Sequence, residues 1–325
     1  MRRVRVLEIC AGGGGQALGL EQAGMEHVAL AEIDSDACDT LRANRPGWKV
    51  IEGDLRDLDG RQFRGPLGEG IDVLAGGPPC PPFTVAGLRL GAQDDRNLFQ
   101  EAMRLVHETR PLVVMLENVP GLAQPRFRAF RQEIVLDLLR MEYRVWWQMI
   151  HASSHGVPQL RPRYVLVAVK NHLAYRFRWP LSLPGSEPLA PSVAVALYDL
   201  MSERGWPGAD AWALLAHGVA PTIVGGSKKH GGPDLGPTRS RQAWARLGVN
   251  GGSIANEAPG PDFPEGEMPR LTLRMVARLQ GFPDDWEFSG RKTAAYRQIG
   301  NAFPPPVARA LGESIVRALR PGDER

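Results

Sequence analysis

The stretch VRVLEICAGGGGQALGLEQAG, residues 4–24, runs from a short apolar segment through four consecutive glycines into a helical pattern that stops at Gly24. An apolar run of this length feeding a glycine loop and then a helix reads as one strand, loop, helix unit. The chain repeats the unit. HVALAEID (27–34) reads as a second strand, SDACDTLRANRPG (35–47) as a helix opened by a Ser or Asp cap and closed at Pro46, and WKVIEGD (48–54) as a third strand. IDVLAGG (71–77) and LVVMLENV (112–119) are compact apolar runs bounded by turn residues. Between them, Leu98, Met103, Leu105 and Val106 have helical spacing. A further helix near 126–141 and strands near 144–150 and 163–169 complete the pattern. Alternation of this kind predicts a parallel sheet covered by helices on both faces, an α/β, doubly wound, Rossmann-like domain.

After about residue 178 the rhythm stops. Residues 180–268 are crowded with Pro, Gly and Ser and show no clear period over most of their length, which predicts a second, irregular domain. Within 227–246, Lys228, Lys229, Arg239, Arg241 and Arg246 stand against one acid, Asp234. Such a run is either a polyanion-binding patch or a solvated loop. RLTLRMVARLQGFPDDWEF (270–288) and the segment from Ala295 return to helical spacing.

Composition sets limits on function. With 325 residues, 43% hydrophobic and 23% charged, the chain is long enough for a large domain and a companion, and too apolar to be disordered. A net charge of +3 permits a polyanionic partner without requiring one. Cys10, Cys38 and Cys80 are odd in number and lack CxxC spacing, so neither a disulfide framework nor a metal site is expected. No stretch has the length of a membrane span and the N-terminal apolar run is too short for a signal peptide, so a cytoplasmic protein is expected.

Glycines where a strand turns into a helix let a ligand approach the backbone and the helix N-terminus. Gly12, Gly14 and Ala17 fit a loose GxGxxA pattern, and Glu32 lies at the end of the next strand, where an acid can take ribose hydroxyls. Asp54, after the third strand, can reach an adenine amino group. A nucleotide site is predicted, against the plainer reading of a tight turn with a coincidental acid. Glycines alone leave NAD and S-adenosylmethionine equally open.

GGPPCPPF, residues 76–83, follows a strand, so Cys80 falls at the carboxyl edge of the sheet, where open α/β sheets bind ligands. Pro78, Pro79, Pro81 and Pro82 restrict the backbone around it and suit a nucleophile held in line for attack. A buried cysteine is more often a small hydrophobe. Glu117, ending the next apolar strand in LENV, is expected at the same edge. PQLRPRYVLVA (158–168) brings Gln159, Arg161 and Arg163, with strand alternation placing both arginines on one face.

In this order the motifs resemble the DNA (cytosine-5-)-methyltransferases, of the bacterial restriction-modification type. CAGGGG resembles the family's cofactor loop, GGPPCPPF its nucleophile loop, ENV its acid, QLRPR its paired arginines, RLTLRMVARLQGFPDDW its penultimate block and RQIGNAFPPPVA its closing Gly-Asn motif. Two positions depart from the family pattern. Cys10 stands where an aromatic residue is frequent, and Thr84 where serine is usual.

The resemblance implies an S-adenosylmethionine-dependent methyltransferase acting on C5 of a flipped-out cytosine in double-stranded DNA. Cys80 would add to C6, Glu117 would hold a proton at N3, Arg163 would bind O2, and Arg161 would sit nearby, holding the sulfur's neighbours or a phosphate. The cofactor would lie against Cys10, Ala11, Gly12, Gly14, Gly15, Gln16, Glu32, Ile33, Asp54, Leu55, Gly77, Pro79, Asn301 and Ala302. DNA would meet Thr84, Arg89, Gln159, Lys228, Lys229, Arg239 and Arg241, the last two arginines sharing a face if the chain there is extended. The catalytic domain is expected to be discontinuous, 1–178 with 290–325, and the target-recognition domain to be 179–289. A monomer used at the nucleoid, with a restriction endonuclease acting separately, completes the expectation. A tRNA-directed enzyme of the same family, and more distantly a nicotinamide-dependent dehydrogenase, stay open.

Overall fold

Apolar runs without alternation form strands covered on both faces, and they make the centre of the sheet here. β1 (Val4–Ile9), β4 (Val73–Gly76) and β5 (Val113–Asn118) are buried almost throughout. In the computed structural model, which describes residues 2–65, 70–79, 98–180, 190–226 and 232–320, they join β2 (Met25–Glu32), β3 (Val50–Glu52), β6 (Tyr143–His151) and β7 (Pro162–Lys170). The seven-stranded sheet has the order β3-β2-β1-β4-β5-β7-β6. β3, β2, β1, β4 and β5 pair in parallel, as the alternation predicts.

β7 differs from the expected all-parallel sheet. It runs antiparallel to β5, with Glu117 opposite Val165 and Asn118 opposite Tyr164. A parallel return needs a crossover of a dozen or more residues, usually a helix. Residues 152–161 hold only the 3-10 turn Ala152–His155, so the chain reverses instead.

The helices follow their signals. α1 (Gly15–Gln22) ends just before Gly24, whose φ of 84° makes it the left-handed stop the sequence suggests. α2 (Ser35–Asn44) is capped by Asp34, whose side chain accepts from the Asp36 amide at 3.1 Å. α3 (Leu98–Thr109) buries Phe99, Ala102, Met103, Leu105 and Val106 against Leu7, Ile9, Leu74, Val114 and Leu116 of the sheet. α4 (Arg128–Arg140) precedes β6.

The chain divides into two compact units. One comprises 1–150, 162–181 and 308–325, the other 151–161 and 182–307. These bounds differ from those expected, because residues 151–161 and 290–307 fall in the second unit. That unit is also more helical than the sequence suggests: α5 (Val193–Ser202), α6 (Ala209–Leu215) and α7 (Thr238–Ala245) stand in the stretch without a clear period, before α8 (Leu273–Leu279) and α9 (Lys292–Asn301). These helices are short, and each is held by buried side chains, among them Leu197, Met201, Trp212, Trp244, Met275, Leu279 and Tyr296. Arg278 of α8 ties in α5 by donating to the Ala196 carbonyl at 3.1 Å and pairing with Asp199 at 2.5 Å. α10 (Pro305–Leu319) closes the described chain. Among the described residues no helix is long and apolar enough to cross a membrane.

Candidate functional site

The ends of β1, β2 and β3 form one cradle. Cys10 (φ 52°), Gly12 (φ 54°) and Gly14 (φ 85°) are left-handed, so the chain coils tightly between β1 and α1. For Cys10 that conformation is uncommon, a strain that concentrates at functional sites. The Ala11 amide donates to the Ala31 carbonyl at 3.2 Å and the Gly53 amide to the Glu32 carbonyl at 2.9 Å. The Glu32 carboxylate is the hub. Its Oε2 accepts from the Gly12 amide at 2.7 Å and its Oε1 from the Ile33 and Asp34 amides, each at 2.9 Å. A carboxylate offers about four lone-pair sites, so capacity remains for a ligand hydroxyl. Ile33 is 64% exposed beside it. Asp54 turns both oxygens to Arg56, accepting from its amide at 2.9 Å and from its guanidinium at 3.2 Å, while Leu55 is buried.

The cradle suits an adenosine-bearing cofactor by its own features. A Cβ built on Gly12 would meet nothing within 4 Å, so the loop's outer side is open. Gln16, in the first turn of α1, is 5% exposed, yet its carboxamide nitrogen and oxygen have no hydrogen-bond partner among the described residues. An unpaired buried amide costs free energy. A polar ligand beside α1 would supply the missing partners.

Two of the three thiols lie in this unit's described part, and neither is poised to react. Burial, reinforced by Glu32, Asp54 and Glu8, pushes the Cys10 thiol well up. Burial, then Glu32 and Glu52, pushes Cys38 up to about 12. Only a thiolate is an effective nucleophile. Alkylation of the native protein near neutral pH is therefore expected to label Cys80 and spare Cys10 and Cys38. Peptide mass spectrometry showing Cys38 labelled as fast as a free thiol would contradict this.

β4 and β5 prepare the second cluster. Ile9 pairs with Gly76, and a Cβ on Gly76 would come within 2.3 Å of the Ile9 carbonyl oxygen, so only glycine lets β4 approach β1 here. A Cβ on Gly77 would lie 2.8 Å from Glu117 Oε1. Glu117 therefore stands directly beside the chain that leads to Pro78 and Pro79. Asn118, next on β5, donates from Nδ2 to the Pro78 carbonyl at 2.9 Å and accepts at Oδ1 from the Val119 amide. Arg163 at the start of β7 faces Glu117, with Nε 3.4 Å from Oε2 and side chains 11% and 13% exposed. Burial pulls the Arg163 guanidinium below its ordinary value and Glu117 opposes the shift, so the cation persists. The expected neighbours Gly77, Glu117 and Arg163 are thus brought together.

Arg161 and Gln159 fall in the second unit. The expectation of one face for both arginines fails, because β7 begins at Pro162 and Arg161 precedes it in the second unit. Arg161 is wholly buried, and its Nη atoms donate to the carbonyls of Ile223, Gly300 and Ala302 at 2.7, 2.7 and 3.0 Å. Its Nη1 also reaches Gln159 Oε1 at 3.4 Å. Gln159 is likewise wholly buried and donates to the Leu279 carbonyl and Gln280 Oε1. Asn301 is exposed, with Nδ2 donating to the Gly226 carbonyl at 3.1 Å, and Ala302 is buried. Arg239 and Arg241 lie on α7, where two positions apart means opposite faces, so the shared extended face is also corrected. Arg241 pairs with Asp234 at 3.3 Å and donates to the Gly236 carbonyl, whereas Arg239 is exposed.

Cys80, Thr84, Arg89, Lys228 and Lys229 lie outside the described residues. Three residues that sequence reasoning passed over matter to these clusters. Asn118 and Gln280 sit inside ENV and RLQGF, where a polar amide among apolar neighbours signals a buried hydrogen-bonding task. The third is Gly225, crossed by Gly300 so closely that a Cβ on Gly300 would lie 2.5 Å from the Gly225 Cα and amide nitrogen. Gly300→Ala is expected to cost about 2–3 kcal/mol, because backbone rather than a yielding side chain blocks the methyl. Denaturant unfolding at wild-type midpoint would refute the crossing.

Comparison with known proteins adds to this geometry. The profile of the family described as C-5 cytosine-specific DNA methylase matches residues 4–214 and 221–317. The Type II methyltransferase M.NaeI of Lentzea aerocolonigenes is 52% identical over 323 residues, 98% of this chain and 76% of that protein. The Type II methyltransferase M.NgoMIV of Neisseria gonorrhoeae is 50% identical over 317 residues, 97% of each chain. Among solved structures, an E. coli prophage-encoded protein described as a DNA modification methyltransferase superposes with a TM-score of 0.66 at 25% identity, covering 97% of this chain and 99% of that one.

Proposed function

The chain belongs to the C-5 cytosine-specific DNA methylase family, and on that premise we propose that it methylates a cytosine flipped out of double-stranded DNA through a covalent bond from the Cys80 sulfur to C6. Cytosine C5 is a poor nucleophile until a thiolate adds at C6 and makes the ring an enamine. Glu117 holds a proton at N3, balancing the charge that builds on the ring, and Arg163 binds O2. S-adenosylmethionine, when bound, supplies an electrophilic methyl group that the electron-rich C5 accepts. The C5 proton then leaves as the sulfur–C6 bond breaks, returning the thiolate. C6 is buried in the base stack, so extrusion costs roughly a few kcal/mol.

The observation that carries this reading is the buried Glu117–Arg163 pair, one residue across from Gly77 on the segment that runs into Pro79 and Cys80. A carboxyl group and a guanidinium fork so placed match N3 and O2 of one pyrimidine edge. The test is a duplex with 5-fluorocytosine at the target, where fluorine cannot leave as a proton. A denaturation-resistant protein–DNA band is expected. Its absence from an otherwise active enzyme would remove the covalent step.

The cofactor is held by Gly12, Gly14, Gly15, Gln16, Glu32 and Ile33, with Asp54 at its margin. Glu32→Ala is expected to weaken S-adenosylmethionine by about tenfold while leaving DNA affinity nearly unchanged, because it deletes a charged acceptor for ribose hydroxyls. Calorimetry showing both ligands weakened alike would make Glu32 a structural strut. The second unit is the target-recognition module, with Lys228, Lys229 and Arg239 toward DNA. The names of the Type II relatives support a role beside a restriction endonuclease; a cytoplasmic monomer completes the reading.

A further inference from the structure

We infer that Arg104 of α3 is a positioning residue that sets Asp54 and Leu55 for the adenine ring, and so governs how well adenine is told from other purines. The inference rests on the reading of Asp54 and Leu55 as the adenine side of the cradle, and every residue in it belongs to the first unit.

The chain after β3 needs support from outside itself. β3 is three residues long, and the chain beyond it runs through two 3-10 turns, Leu55–Asp57 and Gly60–Phe63. The bonds of the first turn are short-range, from the Asp57 amide to the Asp54 carbonyl at 3.1 Å and from the Leu58 amide to the Leu55 carbonyl at 3.3 Å. A loop without a ladder leaves its remaining carbonyl capacity to be met from other elements.

Arg104 meets it. Nη2 donates to the Leu55 carbonyl at 2.9 Å and Nη1 to the Leu58 carbonyl at 3.0 Å. The guanidinium is clamped along its own helix, with Nε on Glu101 Oε2 at 2.7 Å and Nη1 on both Glu108 oxygens at 2.9 Å, neighbours three and four residues away on one face. Glu108 extends the hold. Its Oε2 accepts from the Gly60 amide at 2.7 Å, and a Cβ on Gly60 would lie 2.8 Å from that oxygen and 2.9 Å from Leu105 Cδ2. One cation and one carboxylate therefore fix the loop at Leu55, Leu58 and Gly60, while Leu55 and Leu58 are buried in the same apolar cluster as Phe99 and Leu105 of α3. Ion pairs as exposed as these contribute little by themselves. The planar fork on two carbonyls is what another cation cannot copy.

The consequence falls on Asp54, the residue that caps the first turn. Its carboxylate accepts from the Arg56 amide and guanidinium and keeps lone pairs for an amino N–H. An adenine amino group donates there, whereas an oxo group at the same ring position would face a carboxylate. A site built to accept from an N–H rejects a base that lacks it, provided the acceptor stays in place. Arg104 keeps it in place through the Leu55 carbonyl.

The test uses full-length Arg104→Lys, which retains a charge for Glu101 and Glu108 but has no fork for two carbonyls. Calorimetry compares S-adenosylhomocysteine with S-inosylhomocysteine, which carries an oxo group in place of the amino group. The wild type is expected to prefer the amino base by roughly 10–100-fold. The variant should lose about tenfold on S-adenosylhomocysteine and about twofold at most on S-inosylhomocysteine, while single-turnover methylation at saturating ligands stays within about twofold of wild type. An unchanged preference would overturn the inference, and so would equal weakening of both compounds, the mark of a support to the fold at large. If the wild type shows no preference, or Asp54→Ala keeps it, the adenine reading of Asp54 falls and the inference with it. If Asp54→Ala abolishes the preference and Arg104→Lys does not, only the inference falls. On an Asp54→Ala background, Arg104→Lys should reduce the preference no further; full additivity sinks the route through Asp54. Should Arg104→Lys not fold, Glu108→Ala, which deletes the acceptor of both Arg104 Nη1 and the Gly60 amide, is judged by the same pattern.

Discussion

Cys80→Ser is expected to bind S-adenosylhomocysteine and duplex DNA normally and to transfer methyl groups at least roughly 10⁴-fold more slowly than the wild type. A serine hydroxyl is almost entirely protonated near neutral pH and makes a far weaker nucleophile than thiolate toward C6. No other sulfur can substitute. The chain has three cysteines, and both Cys10 and Cys38 are held protonated by burial and by the carboxylates around the cradle. The described chain before residue 80 is held at two points: Gly76 is pressed onto the Ile9 carbonyl, and Asn118 grips the Pro78 carbonyl at 2.9 Å. The measurement is transfer of labelled methyl to duplex DNA in a single turnover, alongside the 5-fluorocytosine band. A serine variant that transfers at near wild-type rate would remove Cys80 from the chemistry.

The first unit was readable because its signals are local and agree with one another. Strand, glycine loop, helix and acid follow in sequence, and the same residues meet in space, down to Gly12 donating to Glu32. Legibility ends where position depends on tertiary contact. The reversal at β7 leaves no mark in PQLRPRYVLVA, whose alternation suggested that Arg161 and Arg163 share a face; one is a wholly buried strut to backbone carbonyls and the other faces Glu117. The two arginines look alike in sequence, since the burial of Arg161 is decided by Ile223, Gly300 and Ala302, far away along the chain. The helices of the second unit were obscure for another reason. α6 and α7 have seven and eight residues, too few for periodicity to stand out, and burial of Trp212 and Trp244 orders them.

The buried pair gives the other large effect. Glu117→Gln keeps the shape of the side chain opposite Val165 but removes the negative charge that faces Arg163 in the free enzyme, and with it the carboxyl group proposed to take up a proton and hold it at N3. Loss of general acid catalysis predicts a fall in the single-turnover methylation rate of roughly 10²–10⁴-fold. The duplex should still bind with near wild-type affinity, because base extrusion and phosphate contacts do not use this carboxylate. Stability changes as well, since Arg163 then keeps its charge in a buried place without its partner, and breaking one side of a buried pair is destabilising by about 3–5 kcal/mol. The two consequences separate in the variant Arg163→Met with Glu117→Gln, which removes both charges. Stability should largely return in the double variant while methylation stays lost, because a matched apolar or neutral pair tolerates burial but cannot hold a proton at N3 or donate to O2. Recovery of methylation together with stability would show that the pair only supports the fold, and the acid would then have to be sought elsewhere on the sheet edge.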